Sequence, residues 1–123
     1  MVLAVACGGA LGAVGRYLIS SYMQTFAGNA FPWGTLTVNV LGCAILGILV
    51  TVFSNVWSPT QEMRAFLTVG MMGALTTFSA FSLEVVQMIE RAQWVMAAGY
   101  VAASVILCVA AILLSMAGMR ALL

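Results

Sequence analysis

The sequence has very few charges and lacks three residue types on which most enzymes depend. Its charged residues are four arginines and three glutamates, 6% of 123 residues, and it contains no lysine, aspartate or histidine. Soluble globular domains carry about 25% charged residues, so a soluble domain is excluded. Without histidine or aspartate, the usual general bases, triads and most side-chain metal sites cannot be built, which argues against an enzyme. A net charge of +1 gives no nucleic-acid-binding surface.

Cysteine is also scarce, and its placement excludes the usual cysteine chemistry. Cys7, Cys43 and Cys108 are odd in number, and each lies within an apolar run. No pair has the spacing of a metal-binding or redox motif. We therefore expect Cys7 and Cys43 to be small, buried apolar side chains.

Long hydrophobic runs dominate what remains. Hydrophobic residues make up 64% of the chain, and the mean hydropathy is +1.16. Crossing a bilayer takes about 20 apolar residues per helix. The sequence predicts an all-α integral membrane protein with one domain, no internal repeat and four transmembrane helices. The predicted spans are 2–26, 33–56, 63–89 and 94–119.

The connections between these spans are short. We predict turns at Gly28-Asn29 with Pro32, at Ser58-Pro59 and at residues 90–93. Ser58-Pro59-Thr60 with Glu62 predicts a helix start, with the acid in the first turn. The three tryptophans fall at the predicted membrane interfaces, as an aromatic belt requires. The amino terminus lacks the basic leader of a cleavable signal, so the first span is expected to stay in the mature chain.

The arginines are balanced across the predicted membrane. Arg64 and Arg120 lie on one side, and Arg91 and Arg16 belong to the other. Because the positive-inside rule then favours neither orientation, we predict insertion in both. A chain this short encloses little by itself, and an inverted copy is its natural partner.

Two glycine faces would allow close helix contacts. They lie on the first span (Gly8, Gly12, Gly15) and on the second (Gly42, Gly47). Small residues let transmembrane helices approach closely. Packing within one chain and packing between two chains both remain open from the sequence.

The third span contains an unusual segment at residues 70–82, GMMGALTTFSAFS, followed by Glu84. Irregular backbone and clustered hydroxyls survive in a membrane only where protein buries them or a watery pathway uses them. We predict a helix break within residues 73–76, whose freed carbonyls could bind a cation. Phe78 and Phe81 either pack or offer their electropositive ring edges to a small anion.

Polar residues also recur on the other spans. Thr35 and Asn39 share a helix face, where the carboxamide of Asn39 either grips a neighbouring helix or faces a permeating species. Tyr100, Ser104 and Cys108 follow one another at four-residue spacing and form either a track of donors or a row of hydroxyls bonded to their own helix.

Two charged side chains fall within or near the ends of spans. Arg16, the cation well inside a span, either extends to the interface or draws anions into a vestibule. Glu84 lies near the end of its helix, where we expect an interfacial hydrogen-bonding partner rather than a proton carrier.

Three motifs together resemble the Fluc (CrcB) family of fluoride channels over essentially the whole chain. They are GGALGAVGRY at 8–17, GTLTVN at 34–39 and GALTTFSAFSLE at 73–84. The resemblance implies a dual-topology antiparallel homodimer in the prokaryotic cell (inner) membrane, with two pores. Such a channel would export fluoride passively and so reduce its toxicity.

The resemblance also implies roles for particular residues. It implies fluoride-pore residues (Asn39, Phe78, Phe81, Tyr100, Ser104, Cys108), a vestibule arginine (Arg16), and backbone carbonyls that hold a structural Na⁺ at the dimer centre (Gly73, Thr76). Two positions depart from the family pattern. Ala80 stands where threonine is common, and Cys108 stands where a hydroxyl is common; a thiol is the weaker donor.

Two other classes share some of these features. A small proton-coupled exporter of drugs or quaternary ammonium has the same size and dual topology, but it needs a membrane-embedded acid in the first helix. Here that helix carries Arg16 and no carboxylate. A nonconducting scaffold protein would instead direct its polar stripes toward partner helices.

Overall fold

A computed structural model describes residues 1–28 and 30–123. Asn29, part of the first predicted turn, lies outside the described residues. Throughout the described ranges the secondary structure is helical, without strands. In chain order the elements are α1 (Val2–Ala27), α2 (Trp33–Asn55), α3 (Gln61–Ala65), a π-helix (Phe66–Met72), α4 (Gly73–Leu75), α5 (Phe78–Glu90) and α6 (Trp94–Leu122).

The four predicted spans are confirmed as four helical segments that are long and apolar enough to cross a membrane. The third is the composite run Gln61–Glu90, which joins α3, the π-helix, α4 and α5. The largest boundary difference is at the carboxyl end, where α6 continues to Leu122. Arg120 lies in that last turn, where a cation complements the negative end of the helix dipole.

The helix start predicted at Ser58-Pro59-Thr60 is confirmed, and Thr60 is the residue that caps helix α3. The hydroxyl of Thr60 accepts a hydrogen bond of 3.2 Å from the backbone N–H of Met63. Glu62 lies in the first turn, near the positive end of the helix dipole. The expectation of a buried Cys7 is wrong, because its side chain is exposed on the outside of the single chain. A small apolar side chain is equally at home against lipid and inside the protein.

The predicted break of the third span is confirmed, and it lies at the carboxyl end of the predicted segment. Gly73 is still helical, whereas Thr76 (ψ 155°) and Thr77 (φ −150°, ψ 120°) are extended. Helix α5 restarts when the hydroxyl of Thr77 accepts the N–H of Ala80 at 3.1 Å. The π-helix that precedes the break was not predicted, since it leaves no simple sequence signal.

Glycines bring α1 into backbone contact with the π-helix. A Cβ atom on Gly8 would overlap the carbonyl oxygen of Phe66, and one on Gly12 would overlap that of Met71. On the opposite side, a Cβ on Gly70 would lie 3.0 Å from the Cα of Gly8. These glycines therefore serve packing within the chain, which was one of the two readings of this face.

Helices α2 and α6 run in the same direction and pack side by side. Leu36 and Tyr100 share a buried cluster near their amino ends. Further along, a Cβ on Gly47 would lie 2.9 Å from the carbonyl oxygen of Ile112. The second glycine face is thus also occupied within one chain, and the pairing of α2 with α6 keeps one register over several turns.

The glycine contacts predict a position-dependent cost for one added methyl group. Gly12→Ala should lower the free energy of unfolding by about 1–3 kcal/mol, because the backbones must separate. Gly9→Ala is the matched control, with nothing within 4 Å of its added Cβ, and should change stability by less than about 1 kcal/mol. The thermal stability of both variants is measured by heating them in detergent and following the loss of the monodisperse peak in size-exclusion chromatography. Equal midpoints for the two variants would contradict the backbone contact.

Candidate ion pathway

The side chain of Asn39 forms hydrogen bonds with the backbone at the break in the third span. Its Nδ2 donates to the carbonyl oxygen of Thr77 at 3.1 Å, and its Oδ1 accepts the backbone N–H of Thr77 at 2.7 Å. A buried backbone group without a partner is costly in a membrane, and this one side chain satisfies two of them. The carboxamide does grip a neighbouring helix, and the second hydrogen of its Nδ2 remains for another acceptor.

A cavity of about 380 Å³ lies beside this contact, and we name it the central cavity. Its lining includes seven of the predicted site residues (Asn39, Gly73, Thr76, Phe78, Phe81, Ser104, Cys108). They come from α2, from both sides of the break and from α6. The side chains that line it in the described part of the chain carry no formal charge.

The polar residues of the predicted track on α6 are buried or half-buried. Tyr100 is fully buried and Ser104 is 7% exposed, while Cys108 is half-buried. Within the described ranges, neither the Tyr100 hydroxyl nor the Ser104 hydroxyl has a hydrogen-bond partner. Ser115, in contrast, bonds back to the carbonyl oxygen of Ile112. Of the two serines, Ser115 forms a hydrogen bond with its own helix backbone, whereas Ser104 does not.

Three aromatic rings lie in contact next to the central cavity. The rings of Phe78 and Phe81 are 5.5 Å apart, and the Phe81 ring is 5.0 Å from that of Tyr100. Phe81 is 9% exposed, whereas Phe78 is 78% exposed in the single chain. Tyr100 also meets Phe31 edge-on at 5.3 Å. Tyr100 thus lies between the central cavity and the loop that precedes α2.

A second cavity of about 430 Å³, which we name the mouth cavity, opens on the other side of this aromatic layer. Its lining includes Phe31, Thr35 and Glu84. The hydroxyl of Thr35 donates to Oε1 of Glu84 at 2.6 Å, and the Tyr100 hydroxyl neighbours the pair. Glu84 is a hydrogen-bonding partner in this contact, as the sequence indicated.

Arg16 lies apart from both cavities and is half-buried. Its Nε donates to the carbonyl oxygen of Ala74 at 3.1 Å, just before the break. This bond pairs a span cation with a carbonyl in the last turn of α4. The structure therefore places Arg16 against the third span, and its role in a vestibule stays a prediction.

Sequence reasoning missed three participants. Thr77 caps α5 and pairs with Asn39, a role signalled by a hydroxyl residue just before a helix restart. Phe31 lines the mouth cavity and Cys43 lines the central cavity, and no sequence pattern predicted either position. Both positions depend on which helices pack against each other.

Four membrane-capable helices with a capped break in the third define a multi-pass membrane protein, and the described lining of the cavity at this break is mostly apolar with a few uncharged polar side chains. The family model described as "CrcB-like protein, Camphor Resistance (CrcB)" matches residues 3–118. The chain belongs to this family. With its bacterial relatives, it is a protein of the prokaryotic cell membrane.

Several curated relatives are named "Fluoride-specific ion channel FluC". The protein from Rhodospirillum centenum is 48% identical over 120 residues, covering 98% of this chain and 95% of the relative. That from Rhizobium johnstonii is 44% identical over 118 residues, covering 96% and 94%. That from Nitrobacter winogradskyi is 47% identical over 112 residues, covering 91% and 89%.

The bonds at the break predict a large effect of Asn39→Leu. This variant leaves the Thr77 N–H and carbonyl without partners, at a cost of about 1–3 kcal/mol for each group. The control is Asn55→Leu, which removes only a bond from Nδ2 to the carbonyl of Thr51 at the end of α2. Thermal stability in detergent compares the two. A control that melts as low as Asn39→Leu would show that the break does not need this carboxamide.

Proposed function

We infer that this protein is a fluoride-selective channel that lets fluoride leave the cytoplasm passively and so reduces its toxicity. The observation that carries the inference is the buried hydroxyl of Ser104, which lines the central cavity and has no hydrogen-bond partner within the described ranges. Buried polar groups are normally hydrogen-bonded, so a free donor in this position favours a small passing acceptor. The relatives' name supports fluoride as that acceptor.

The proposed route runs from the mouth cavity past Thr35 and Glu84, through the aromatic layer, and along Ser104 and Cys108. Fluoride is small and strongly hydrated, and a selective pore must replace its water with closely spaced donors. Asn39 and the hydroxyls supply these donors, while the ring edges of Phe78 and Phe81 attract the anion weakly. Conduction requires this balance, because an ion that binds too tightly does not leave.

The membrane potential is enough to drive fluoride out of the cell, without a coupled chemical reaction. A cytoplasm-negative potential moves one negative charge outward with about 2.3 kcal/mol per 100 mV. We propose accordingly that the chain acts as a channel and not as an enzyme.

We propose an antiparallel homodimer with two pores. The balanced arginines support insertion in both orientations. Phe78, which lines the central cavity, is 78% exposed in the single chain, and an inverted copy would cover it. A second chain would also complete the wall of each pathway, which one chain leaves open.

We also propose a structural Na⁺ at the centre of that dimer, held by backbone carbonyls of Gly73 and Thr76 from both chains. The residues fit this role. The N–H of Thr77, the usual helical partner of the Gly73 carbonyl, is taken by Asn39. Likewise the N–H of Ala80, the usual partner of the Thr76 carbonyl, is taken by the Thr77 hydroxyl. Carbonyl oxygens freed in this way are suitable ligands for a hard cation.

Reconstituted protein should release fluoride from liposomes down its gradient and retain chloride. Neutral donors replace the water of a small, strongly hydrated anion best, and the side chains described as lining the central cavity carry no formal charge that would attract both halides. A fluoride electrode and a chloride electrode measure the two effluxes, with valinomycin carrying the counter-charge. Fluoride release no faster than from protein-free vesicles would refute the assignment.

Replacing either pore phenylalanine should slow the flux. If each ring edge contributes about 1 kcal/mol, Phe78→Ile and Phe81→Ile each slow fluoride efflux by roughly fivefold. Phe78→Ile is the cleaner test, because the exposed ring adds little to the stability of the single chain. Leu83→Ile, at an exposed position of the same helix, is the control and should conduct normally. Unchanged flux in both phenylalanine variants would assign the rings to packing alone.

A further inference from the structure

Two cysteines from different helices meet in the central cavity. Cys43 on α2 and Cys108 on α6 both line it, and each is half-buried. Both side chains therefore belong to the wall of one cavity, on two helices that pack side by side. The sequence did not predict that these two thiols are neighbours, because they belong to different spans and the whole third span lies between them.

The register of α2 against α6 explains the meeting. Leu36 and Tyr100 belong to the same buried cluster, and a Cβ on Gly47 would lie against the carbonyl oxygen of Ile112. Cys43 precedes Gly47 by four residues, and Cys108 precedes Ile112 by four. Residues four apart share a helix face, so two parallel helices in this register bring the two thiols together.

A third soft donor lines the same cavity. Met72 is 5% exposed and ends the π-helix, about one turn before the break. Thiolate and thioether sulfur are the ligands that select soft cations such as Cu(I). The side chains described as lining this cavity include no cation that would repel such an ion.

We propose that Cys43 and Cys108, with Met72 beside them, form a binding site for a soft d¹⁰ cation, and that its occupation closes the fluoride pathway. Binding of Ag⁺ forms two Ag–S bonds, and the two thiol protons leave to the water of the cavity. No oxidant or reductant takes part. The blocking effect depends on the proposed fluoride conduction, whereas the binding of the metal does not.

The test uses Ag⁺ and full-length protein in a Cys7→Ser background, which removes the exposed third thiol. Native mass spectrometry of the purified protein should show one silver ion per protomer, because one ion bridges both thiols. Adding Cys43→Ser or Cys108→Ser should abolish this binding. Two ions per protomer, or binding that survives either substitution, would overturn the bridged site.

The flux arm uses the same proteins in liposomes and chloride-free buffer, with each variant compared with its own metal-free rate. At a free Ag⁺ concentration about ten times the dissociation constant, the efflux rate should fall roughly tenfold. The protein that also carries Cys43→Ser should keep its rate. Inhibition that persists in this variant, or silver bound without inhibition, would overturn the proposed block. Absence of fluoride efflux before silver is added would instead refute the channel assignment, while mass spectrometry still decides the metal site.

Discussion

The architecture depends on a single side chain that satisfies a broken backbone inside the membrane. A helix that stops in mid-span leaves N–H and carbonyl groups without partners, and lipid offers none. The carboxamide of Asn39 supplies both a donor and an acceptor to Thr77. With these bonds made, the third span can change direction, and α5 can begin with Phe78 at the cavity wall.

This break is held in place by unusually close packing on its other side. The π-helix lies against the glycine face of α1 at backbone distance, and Arg16 donates to the Ala74 carbonyl just before the break. Contacts of this kind suit a membrane, where van der Waals packing and hydrogen bonds replace the hydrophobic drive between helices. The irregular segment is therefore fixed from both sides, which an ion pathway with precise donor spacing requires.

The central cavity combines hard and soft donors. Hydroxyl and amide groups suit a compact anion, whereas the paired sulfurs of Cys43 and Cys108 suit a polarisable cation. Both arise because α2 and α6 are neighbours in parallel register. The same helix contact that places the polar residues of α6 at the cavity also builds the proposed soft-cation site.

Much of the protein followed from sequence, because the bilayer restricts what an apolar chain can do. Hydrophobic runs of sufficient length predicted the four helices, and glycines and hydroxyls within the third run predicted its break. The motifs around Asn39, Phe78 and Phe81 indicated the family before any geometry was known. Most of the predicted site residues then proved to line one cavity.

Long-range contacts were decided by the tertiary structure alone. Periodicity placed Asn39 and Thr35 on one helix face, but it could not show that they reach Thr77 and Glu84 on the third span. It also could not reveal the π-helix, or the pairing of Cys43 with Cys108. Sequence spacing describes neighbours along one helix, whereas contacts across helices depend on the register in which separate helices pack.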